Sequence, residues 1–220
     1  MPQESLDATY FDTIYTQAED PWNFGTSDYE AQKYAATIAL LDENRYARGL
    51  EVGCSIGVFT RMLASHCDDL LAVDISALAL DRARRRCADR TNVRFELRNV
   101  PHEFPAGHFD LIVLSEVGYY WSDADLLVAR ERIARAGRGG TLVLVHYLPK
   151  VDDYVRDGDA VHDAFLSDAR FEARYARREE RYRIDVVAIR ASSGSEAHAS
   201  TSSEAHASTS SEAHASTSSA

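Results

Sequence analysis

Residues 50–59, LEVGCSIGVF, place two glycines four positions apart directly after a strand-like apolar start. Gly53 would allow a sharp turn out of the strand, and Gly57 would let the backbone pass close to a ligand. Loops of this kind lie where the first strand of an α/β sheet meets its helix, and they hold adenosine-containing ligands of several classes. The loop therefore predicts a ligand site, and its spacing distinguishes between ligand classes.

The spacing disfavours a nicotinamide cofactor. The dinucleotide fingerprint GxGxxG requires a glycine two residues after Gly53, where this chain has Ser55. The loop fits instead the E/DxGxGxG pattern of S-adenosylmethionine-dependent methyltransferases, with Ser55 at the middle glycine and Glu51 as the front acid. A carboxylate there favours a positively charged ligand and disfavours a pyrophosphate. A structural turn without ligand is the alternative. The residues predicted to contact the cofactor here are Glu51, Gly53, Cys54 and Gly57.

Two later strand ends carry groups suited to the rest of an adenosine. Asp74 closes the apolar run LLAVD, and its carboxylate could accept hydrogen bonds from both ribose hydroxyls, with Ile75 beside it in the site. Helix capping is the alternative for Asp74, although Ser76 could cap instead. After the third predicted strand, the Asn99 amide oxygen could accept from the adenine amino group, and the Val100 N–H could serve a ring nitrogen. Methyltransferases commonly have aspartate where this chain has Asn99.

The segment SEVGYYWSD offers groups for the reaction itself. Glu116 follows an apolar run and should emerge at the carboxyl end of the fourth strand, where it could contact the cofactor or orient an amine and take its proton. Tyr120 could form a wall or act as a phenolic partner, because aromatic faces attract a sulfonium or an ammonium. Capping for Glu116 and core packing for Tyr120 are the alternatives. His146 and Tyr147, which end the fifth strand, could also reach an acceptor.

These residues need a sheet that brings their strand ends together. Apolar runs in GLEVGC, LLAVDIS, VRFEL, FDLIVLSEV and TLVLVHYL alternate with helical patterns, among them VFTRMLASHC, which predicts a parallel sheet covered on both faces. Two strand-like stretches, FEARYARREE and RYRIDVVAIR, follow without a helix between them, which predicts an antiparallel hairpin. The predicted fold is α/β: a Rossmann-like, mostly parallel sheet that ends in an antiparallel hairpin, as in class I methyltransferases.

Composition limits the remaining possibilities. The 220 residues carry a net charge of −11, which argues against nucleic-acid binding, and no apolar run is long enough to span a membrane. Three cysteines without CxxC spacing predict reduced thiols in a cytoplasmic protein, and no ligand spacing predicts a metal site. From residue 195 the polar unit SEAHASTS occurs three times, which predicts a disordered tail over 191–220 after a domain over 46–190.

With these residues placed, the chain resembles the nodulation protein S (NodS) family of S-adenosylmethionine-dependent methyltransferases. The likeness covers most of residues 18–145 and includes EDPWNF, YEAQKY and SEVGYY besides the glycine loop. The resemblance implies an N-terminal helical cap over residues 1–45 that covers the cofactor. Within it, Trp22 would supply a large apolar face, and Lys33 could pair with the methionine carboxylate of the cofactor. A core-packing helix with a solvated lysine is the alternative.

The resemblance also implies a reaction. The family is known for N-methylating the free amino group of a deacetylated chitooligosaccharide, so we expect S-adenosyl-L-methionine as cofactor and a small-molecule amine or oligosaccharide as acceptor. The likeness fades after about residue 145, where much of the acceptor surface should lie. The alternatives are a methyltransferase of another small molecule, a nicotinamide-dependent oxidoreductase and a binding protein that has lost catalysis. The sequence leaves the oligomeric state open.

Overall fold

The computed structural model describes residues 4–41 and 45–191. Its helices are α1 (Ala8–Gln17), α2 (Asp28–Ile38), α3 (Val58–Leu63), α4 (Ala77–Arg86), α5 (Asp123–Ala136) and α6 (Gly158–Leu166). Its strands are β1 (Tyr46–Val52), β2 (Cys67–Asp74), β3 (Val93–Leu97), β4 (Leu111–Ser115), β5 (Thr141–Tyr147), β6 (Phe171–Arg178) and β7 (Tyr182–Ile189). Two short 3-10 helices, Ala64–His66 and Gly118–Tyr120, complete the regular structure of this part of the chain.

The seven strands form one sheet in the order β3-β2-β1-β4-β5-β7-β6. The first five strands of this order pair in parallel, whereas β7 pairs antiparallel with both β5 and β6. The chain runs outward from β1 in one direction and from β4 in the other, so the loops that follow these two strands diverge and leave a crevice. The predicted α/β fold with its terminal antiparallel hairpin is confirmed.

Helices cover both faces of the sheet, which explains the unbroken apolar runs of its central strands. Along β4, Ile112 packs on the face covered by α5 and α6, together with Ile133 and Phe165. Its neighbour Val113 points to the other face and packs with Leu63 of α3. Every residue of β4 is buried as a result. No helix within residues 4–41 and 45–191 is long and apolar enough to cross a membrane.

Two elements differ from the sequence expectations. The helix predicted over VFTRMLASHC ends at Leu63, because Cys67 joins β2 and packs against β1, where a Cβ on Gly49 would meet the Cys67 sulfur at 2.6 Å. Helix α6 has no predicted counterpart. Its short apolar pattern of Val161 and Phe165 becomes part of the core only in the folded protein, where α6 packs against β5, β6, β7 and the short helix Gly118–Tyr120. The predicted disordered tail lies, beyond Ala191, outside the described residues.

Strand β1 carries a carboxyl group within the core. Glu51 is only 2% exposed, and its Oε2 has no hydrogen-bond partner among the described residues. Burial raises the pKa of Glu51 to about 8; the Thr60 hydroxyl opposes this shift and the charge of Asp74 adds to it. The carboxyl group is therefore mostly protonated at neutral pH. The negative charge that the sequence led us to expect at this position is largely absent at neutral pH.

We expect Glu51→Gln to stabilise the fold at pH 7.5 but not at pH 4.5. Above the ordinary pKa of 4.5, the unfolded chain releases a proton that the folded protein keeps on Glu51. The buried Glu51 therefore lowers the free energy of unfolding increasingly as the pH rises toward about 8. Each pKa unit corresponds to about 1.4 kcal/mol, and pH 7.5 lies about three units above the unfolded pKa, so the gain should be on the order of 4 kcal/mol. Urea unfolding at both pH values measures it. Exposed Glu180→Gln is the control, and an equal effect of E51Q at both pH values would contradict the protonated state.

Candidate active site

A cavity of about 810 Å³ lies at the carboxyl ends of β1, β2 and β4 and extends beneath α1 and α2. This volume is within the usual range for small-molecule sites, roughly 300–1,000 Å³. All but one of the predicted cofactor contacts line it, together with Tyr120. Those that do are Trp22, Lys33, Glu51, Gly53, Cys54, Asp74, Ile75, Asn99, Val100, Glu116 and Tyr120. Strand ends that are far apart in the chain thus meet at one cavity.

The glycine loop forms one wall of this cavity. Gly53 has a φ of +79°, and a Cβ there would meet Val117 Cγ2 at 2.1 Å, so only glycine fits between this turn and the loop after β4. Ser55 also has a positive φ, of +49°. Its hydroxyl lies 2.5 Å from the Tyr15 hydroxyl of α1. The residue that replaces the middle glycine of the motif therefore connects the loop to the N-terminal helix.

Gly57 is the predicted cofactor contact that does not line the cavity. It has a φ of +79° at the start of α3, and a Cβ there would meet the Ala83 Cα of α4 at 2.9 Å. The position needs glycine because α4 crosses the N-terminus of α3 at close range. This differs from the expectation that Gly57 brings the backbone close to a ligand.

Asp74 is held at the cavity wall by backbone donors. Its Oδ2 accepts from the Ser55 N–H at 2.8 Å, and its Oδ1 accepts from the Ser76 N–H at 2.9 Å. The hydroxyl of Ser76, and not Asp74, caps α4 by accepting from the Ala79 N–H. Burial raises the pKa of Asp74 to about 6 although these N–H groups lower it. The carboxylate is therefore mostly ionised at neutral pH, and each oxygen retains a lone pair for a ligand.

The loop after β3 brings Asn99 and Val100 to the cavity. The Asn99 N–H donates to Glu103 Oε2 at 2.9 Å within the loop. The Val100 carbonyl accepts from the indole N–H of Trp121 at 3.1 Å. This second bond fixes the loop against the segment that follows β4, where Glu116 and the aromatic residues lie.

Lys33 lies between two carboxylates, those of Glu30 and Glu116. We call these three residues the acidic triad. The side chain of Lys33 is 1% exposed, and its ammonium pairs with Glu116 and, at 2.9 Å, with Glu30. Burial lowers the pKa of Lys33, but the two carboxylates outweigh this effect and raise it overall. With all three groups ionised, the triad carries one net negative charge. The sequence led us to expect a ligand carboxylate as the partner of Lys33, whereas the structure pairs it within the protein.

Glu116 adopts a strained backbone at the cavity wall. Its φ is +59°, in the left-handed region that residues other than glycine and asparagine rarely adopt. Besides Lys33, two donors hold its Oε2, namely the Tyr119 hydroxyl at 2.5 Å and the Tyr147 N–H at 3.0 Å. A strained carboxylate that is fixed by several donors is typical of a functional position.

Aromatic rings line the side of the cavity next to Glu116. The Tyr120 ring lies edge-on to Phe11 of α1, with centroids 5.0 Å apart, and its hydroxyl donates to the Tyr154 hydroxyl at 3.4 Å. Tyr154 in turn stacks on Tyr119 at 4.3 Å. Trp22 packs edge-on to Tyr15 at the opposite side. These faces suit a cationic group, as the sequence predicts for Tyr120.

Several cavity residues have weak or no signals in the sequence. Glu30 could be found only from its i, i+3 spacing to Lys33. Tyr154 lies in a stretch without periodicity, and Arg181 belongs to a segment whose charges indicate a solvated surface. Arg181 nevertheless lines the cavity, with its guanidinium 4.1 Å from the ring centre of Tyr29. In the described residues, no group of three His, Cys, Asp or Glu side chains is placed to hold a metal ion.

The two candidate residues at the end of β5, His146 and Tyr147, face different surroundings. Tyr147 lines the cavity and donates its N–H to Glu116. His146 is fully buried on the other side of the strand and does not line the cavity. The alternation of side chains along a strand explains why neighbouring residues face different surroundings.

Comparisons with known proteins agree with this arrangement. The family model of Nodulation protein S (NodS) matches residues 13–136. Nodulation protein S of Rhizobium tropici is 36% identical over 129 residues, which cover 57% of this chain and 54% of that protein. The chain thus spans about half the length of the curated relatives it matches.

Solved structures share the fold over a longer range. A protein of Pseudomonas syringae that is assigned to the methyltransferases is 33% identical, with a TM-score of 0.65 over 73% of this chain and 98% of that chain. The N-methyltransferase NodS of Bradyrhizobium japonicum WM9, solved with S-adenosyl-L-homocysteine, has a TM-score of 0.73 at 24% identity, over 83% of this chain and 99% of that chain. Because the family model covers more than half of its residues, this chain belongs to the Nodulation protein S (NodS) family.

Proposed function

We propose that the protein is an S-adenosylmethionine-dependent methyltransferase that methylates an amino group of a small acceptor. A deacetylated chitooligosaccharide or a related amino sugar is the first candidate. The observation that carries the proposal is one cavity with the glycine loop and Asp74 on one wall and the acidic triad on another. The relative from B. japonicum is named an N-methyltransferase and binds S-adenosyl-L-homocysteine, which supports the reaction class and the cofactor.

The residues of the cavity fit S-adenosylmethionine. Gly53 leaves the wall free of a side chain, and the ionised Asp74 keeps lone pairs that two ribose hydroxyls would use. Asn99 and Val100 would contact the adenine, and Trp22 would cover the cofactor from the N-terminal segment. When bound, the cofactor supplies an electrophilic methyl group on a sulfonium. The protein has to exclude water and orient the acceptor, for which well-placed groups gain effective molarities of about 10⁵ M or more.

The acidic triad would stabilise the positive charge of the reaction. The acceptor amine becomes cationic as it gains a methyl group, so a net negative triad beside tyrosine faces favours that state. In this proposal Lys33 does not bind the ligand; its ion pair with Glu116 keeps that carboxyl group in place. The carboxylate of Glu116 would orient the amine through the lone pair left free by Lys33, Tyr119 and Tyr147.

Glu116 is also the group we propose as the proton acceptor. The amine must lose a proton, and a carboxylate within hydrogen-bond reach can take it. Burial raises the pKa of both Tyr119 and Tyr120 well above the usual value, so these phenols stay protonated at neutral pH. Tyr120 would therefore act as a wall of the acceptor site rather than as a base.

We propose the cytoplasm as the setting, as the composition predicts. Cys54, Cys67 and Cys87 are free and buried. Reduced thiols are the rule in that compartment. A nucleic acid is not proposed as a partner, because the net charge of −11 opposes phosphate binding.

An activity screen tests the function. Radiolabelled methyl transfer from S-adenosylmethionine would be measured on deacetylated chitooligosaccharides, other amino sugars and simple amines. We expect transfer to at least one amine class, together with thermal stabilisation by S-adenosylhomocysteine and not by NADH. Stabilisation by NADH alone would favour an oxidoreductase, and binding of S-adenosylhomocysteine without transfer to any acceptor would favour a binding protein.

Asp74→Asn should weaken S-adenosylhomocysteine binding by about tenfold or more, because an amide replaces one acceptor of a ribose hydroxyl with a donor. In the unchanged protein, affinity should also fall as the pH drops through about 6, where Asp74 becomes protonated. Calorimetry at pH 5 and 7.5 measures both effects. Asp81→Asn, an exposed position on α4, is the control. Undiminished affinity of D74N would remove the proposed ribose contact.

Glu116→Gln should lower kcat by on the order of 10²-fold while S-adenosylhomocysteine affinity changes little, because the carboxylate acts on the acceptor and its proton. Single-turnover methyl transfer and calorimetry separate the two effects. Glu131→Gln on the outer side of α5 is the matched control. A full rate in E116Q would show that neither orientation nor proton transfer depends on this carboxylate.

A further inference from the structure

A chain of buried polar side chains lies behind the cavity and has no role so far. His146 of β5, His162 of α6 and Asp185 of β7 have no exposed surface. The Gly118 N–H donates to His146 Nε2 at 3.1 Å, and His146 Nδ1 lies 3.1 Å from His162 Nε2. His162 Nδ1 lies 2.8 Å from Asp185 Oδ2. We call His146, His162 and Asp185 the histidine chain.

The two ends of the histidine chain determine its hydrogen-bond directions. A peptide N–H can only donate, so the Nε2 of His146 is unprotonated and its neutral ring carries the proton on Nδ1. That proton is donated to His162 Nε2, and the Nδ1–H of His162 is donated to Asp185. Burial lowers the pKa of His146, and electrostatic repulsion from His162 and Lys33 adds to this shift. Burial also lowers the pKa of His162, although Asp185 opposes the shift. Two neutral rings agree with this order.

The far end of the histidine chain is anchored by a charge. The Arg183 Nη2 lies 2.9 Å from Asp185 Oδ2, which compensates the buried carboxylate. The other carboxylate oxygen, Oδ1, has no hydrogen-bond partner among the described residues. Apolar side chains of similar volume would fill this space without such desolvation costs. The buried hydrogen bonds therefore fix the orientation of the two imidazole rings, which apolar packing would not do.

The near end of the histidine chain holds the turn that carries the aromatic wall. Gly118 begins the short helix Gly118–Tyr120, and a Cβ there would meet Val161 Cγ1 at 2.4 Å and His146 Nε2 at 3.1 Å. The next residue of β5, Tyr147, donates its N–H to Glu116. Two consecutive residues of β5 thus support the strained carboxylate and the turn that follows it.

We propose that His146, His162 and Asp185 are positioning residues for methyl transfer, which hold one imidazole in the orientation that anchors the Gly118 N–H and its turn. The inference rests on the proposed function. The histidine chain is not a proton relay, because it ends on a peptide N–H that neither accepts nor releases a proton at neutral pH. It does not line the cavity, so it acts on the acceptor only through Glu116, Tyr119 and Tyr120.

Two amide substitutions at His146 test the near end. In His146→Gln the amide oxygen can take the place of Nε2 and accept from the Gly118 N–H. In His146→Asn the amide takes the place of Nδ1, so the bond to His162 is kept and the bond to Gly118 is lost. Both variants replace the imidazole with an amide, so they differ chiefly in which bond survives. His108→Gln, an exposed histidine, is the control.

Hydrogen exchange and kinetics supply two independent readouts. We expect the Gly118 amide to stay protected in the unchanged protein and H146Q, and to exchange about tenfold or more faster in H146N. We expect kcat of H146N to fall about tenfold or more, with KM and S-adenosylhomocysteine affinity within about threefold of the unchanged values. In H146Q all values should stay within about threefold.

A second pair covers the case in which H146N does not fold. His162→Gln keeps an acceptor for His146 Nδ1–H, whereas His162→Asn keeps the bond to Asp185 and leaves His146 without its partner. We expect Gly118 protection to survive in H162Q and to be lost in H162N. Urea unfolding confirms that each variant is folded under the assay conditions.

The outcomes separate this inference from the proposed function. Equal Gly118 exchange in both members of a pair would overturn the positioning role, whether or not methyl transfer is detected. If the unchanged protein binds S-adenosylhomocysteine but methylates no acceptor, the proposed function fails. The exchange experiment still tests whether His146 anchors the Gly118 N–H. Methyl transfer that is equally fast in H146N and H146Q would overturn the positioning role alone.

Discussion

The buried pairing of Lys33 with Glu116 joins the two parts of the molecule on which the site depends. Lys33 belongs to α2 in the N-terminal segment, and Glu116 follows β4 in the sheet. Removing Lys33 would leave the buried Glu30 and Glu116 without their counter-charge, and breaking a buried pair in this way costs about 3–5 kcal/mol. The pairing therefore holds α2 over the carboxyl ends of the strands. It also holds Glu116 in a backbone conformation that the residue would otherwise avoid.

Two buried acids on neighbouring strands show how the surroundings set charge. Glu51 and Asp74 are both buried at the cavity, and burial raises the pKa of each. Asp74 receives N–H bonds from Ser55 and Ser76, which limit the shift to about 6, whereas Glu51 lacks backbone donors and reaches about 8. At neutral pH the first is mostly ionised and the second mostly protonated. The acid of the glycine motif and the acid of the second strand thus differ in charge at the same cavity.

Strand β5 supports the Glu116 side of the cavity from behind. Its position between β4 and β7 places His146 toward α6 and Tyr147 toward the cavity. The backbone of Tyr147 and the side chain of His146 each bind a different part of the segment after β4. The antiparallel β7 matters for the same reason, because it supplies Asp185 at the end of the histidine chain. The terminal hairpin thus contributes to the site as well as to the sheet.

The sequence by itself determined the sheet and most of the cavity. Apolar runs identify parallel strands, and the polar residues that end them, such as Gly53, Asp74 and Glu116, must then meet at one edge. The sequence did not determine which residues contact each other in the fold. That Lys33 binds Glu116, that Gly57 packs on Ala83 and that His162 joins His146 to Asp185 all depend on contacts between residues distant in the chain. Local patterns report burial and periodicity, whereas only the packed structure decides which buried polar group meets which, because each needs a partner at hydrogen-bond distance.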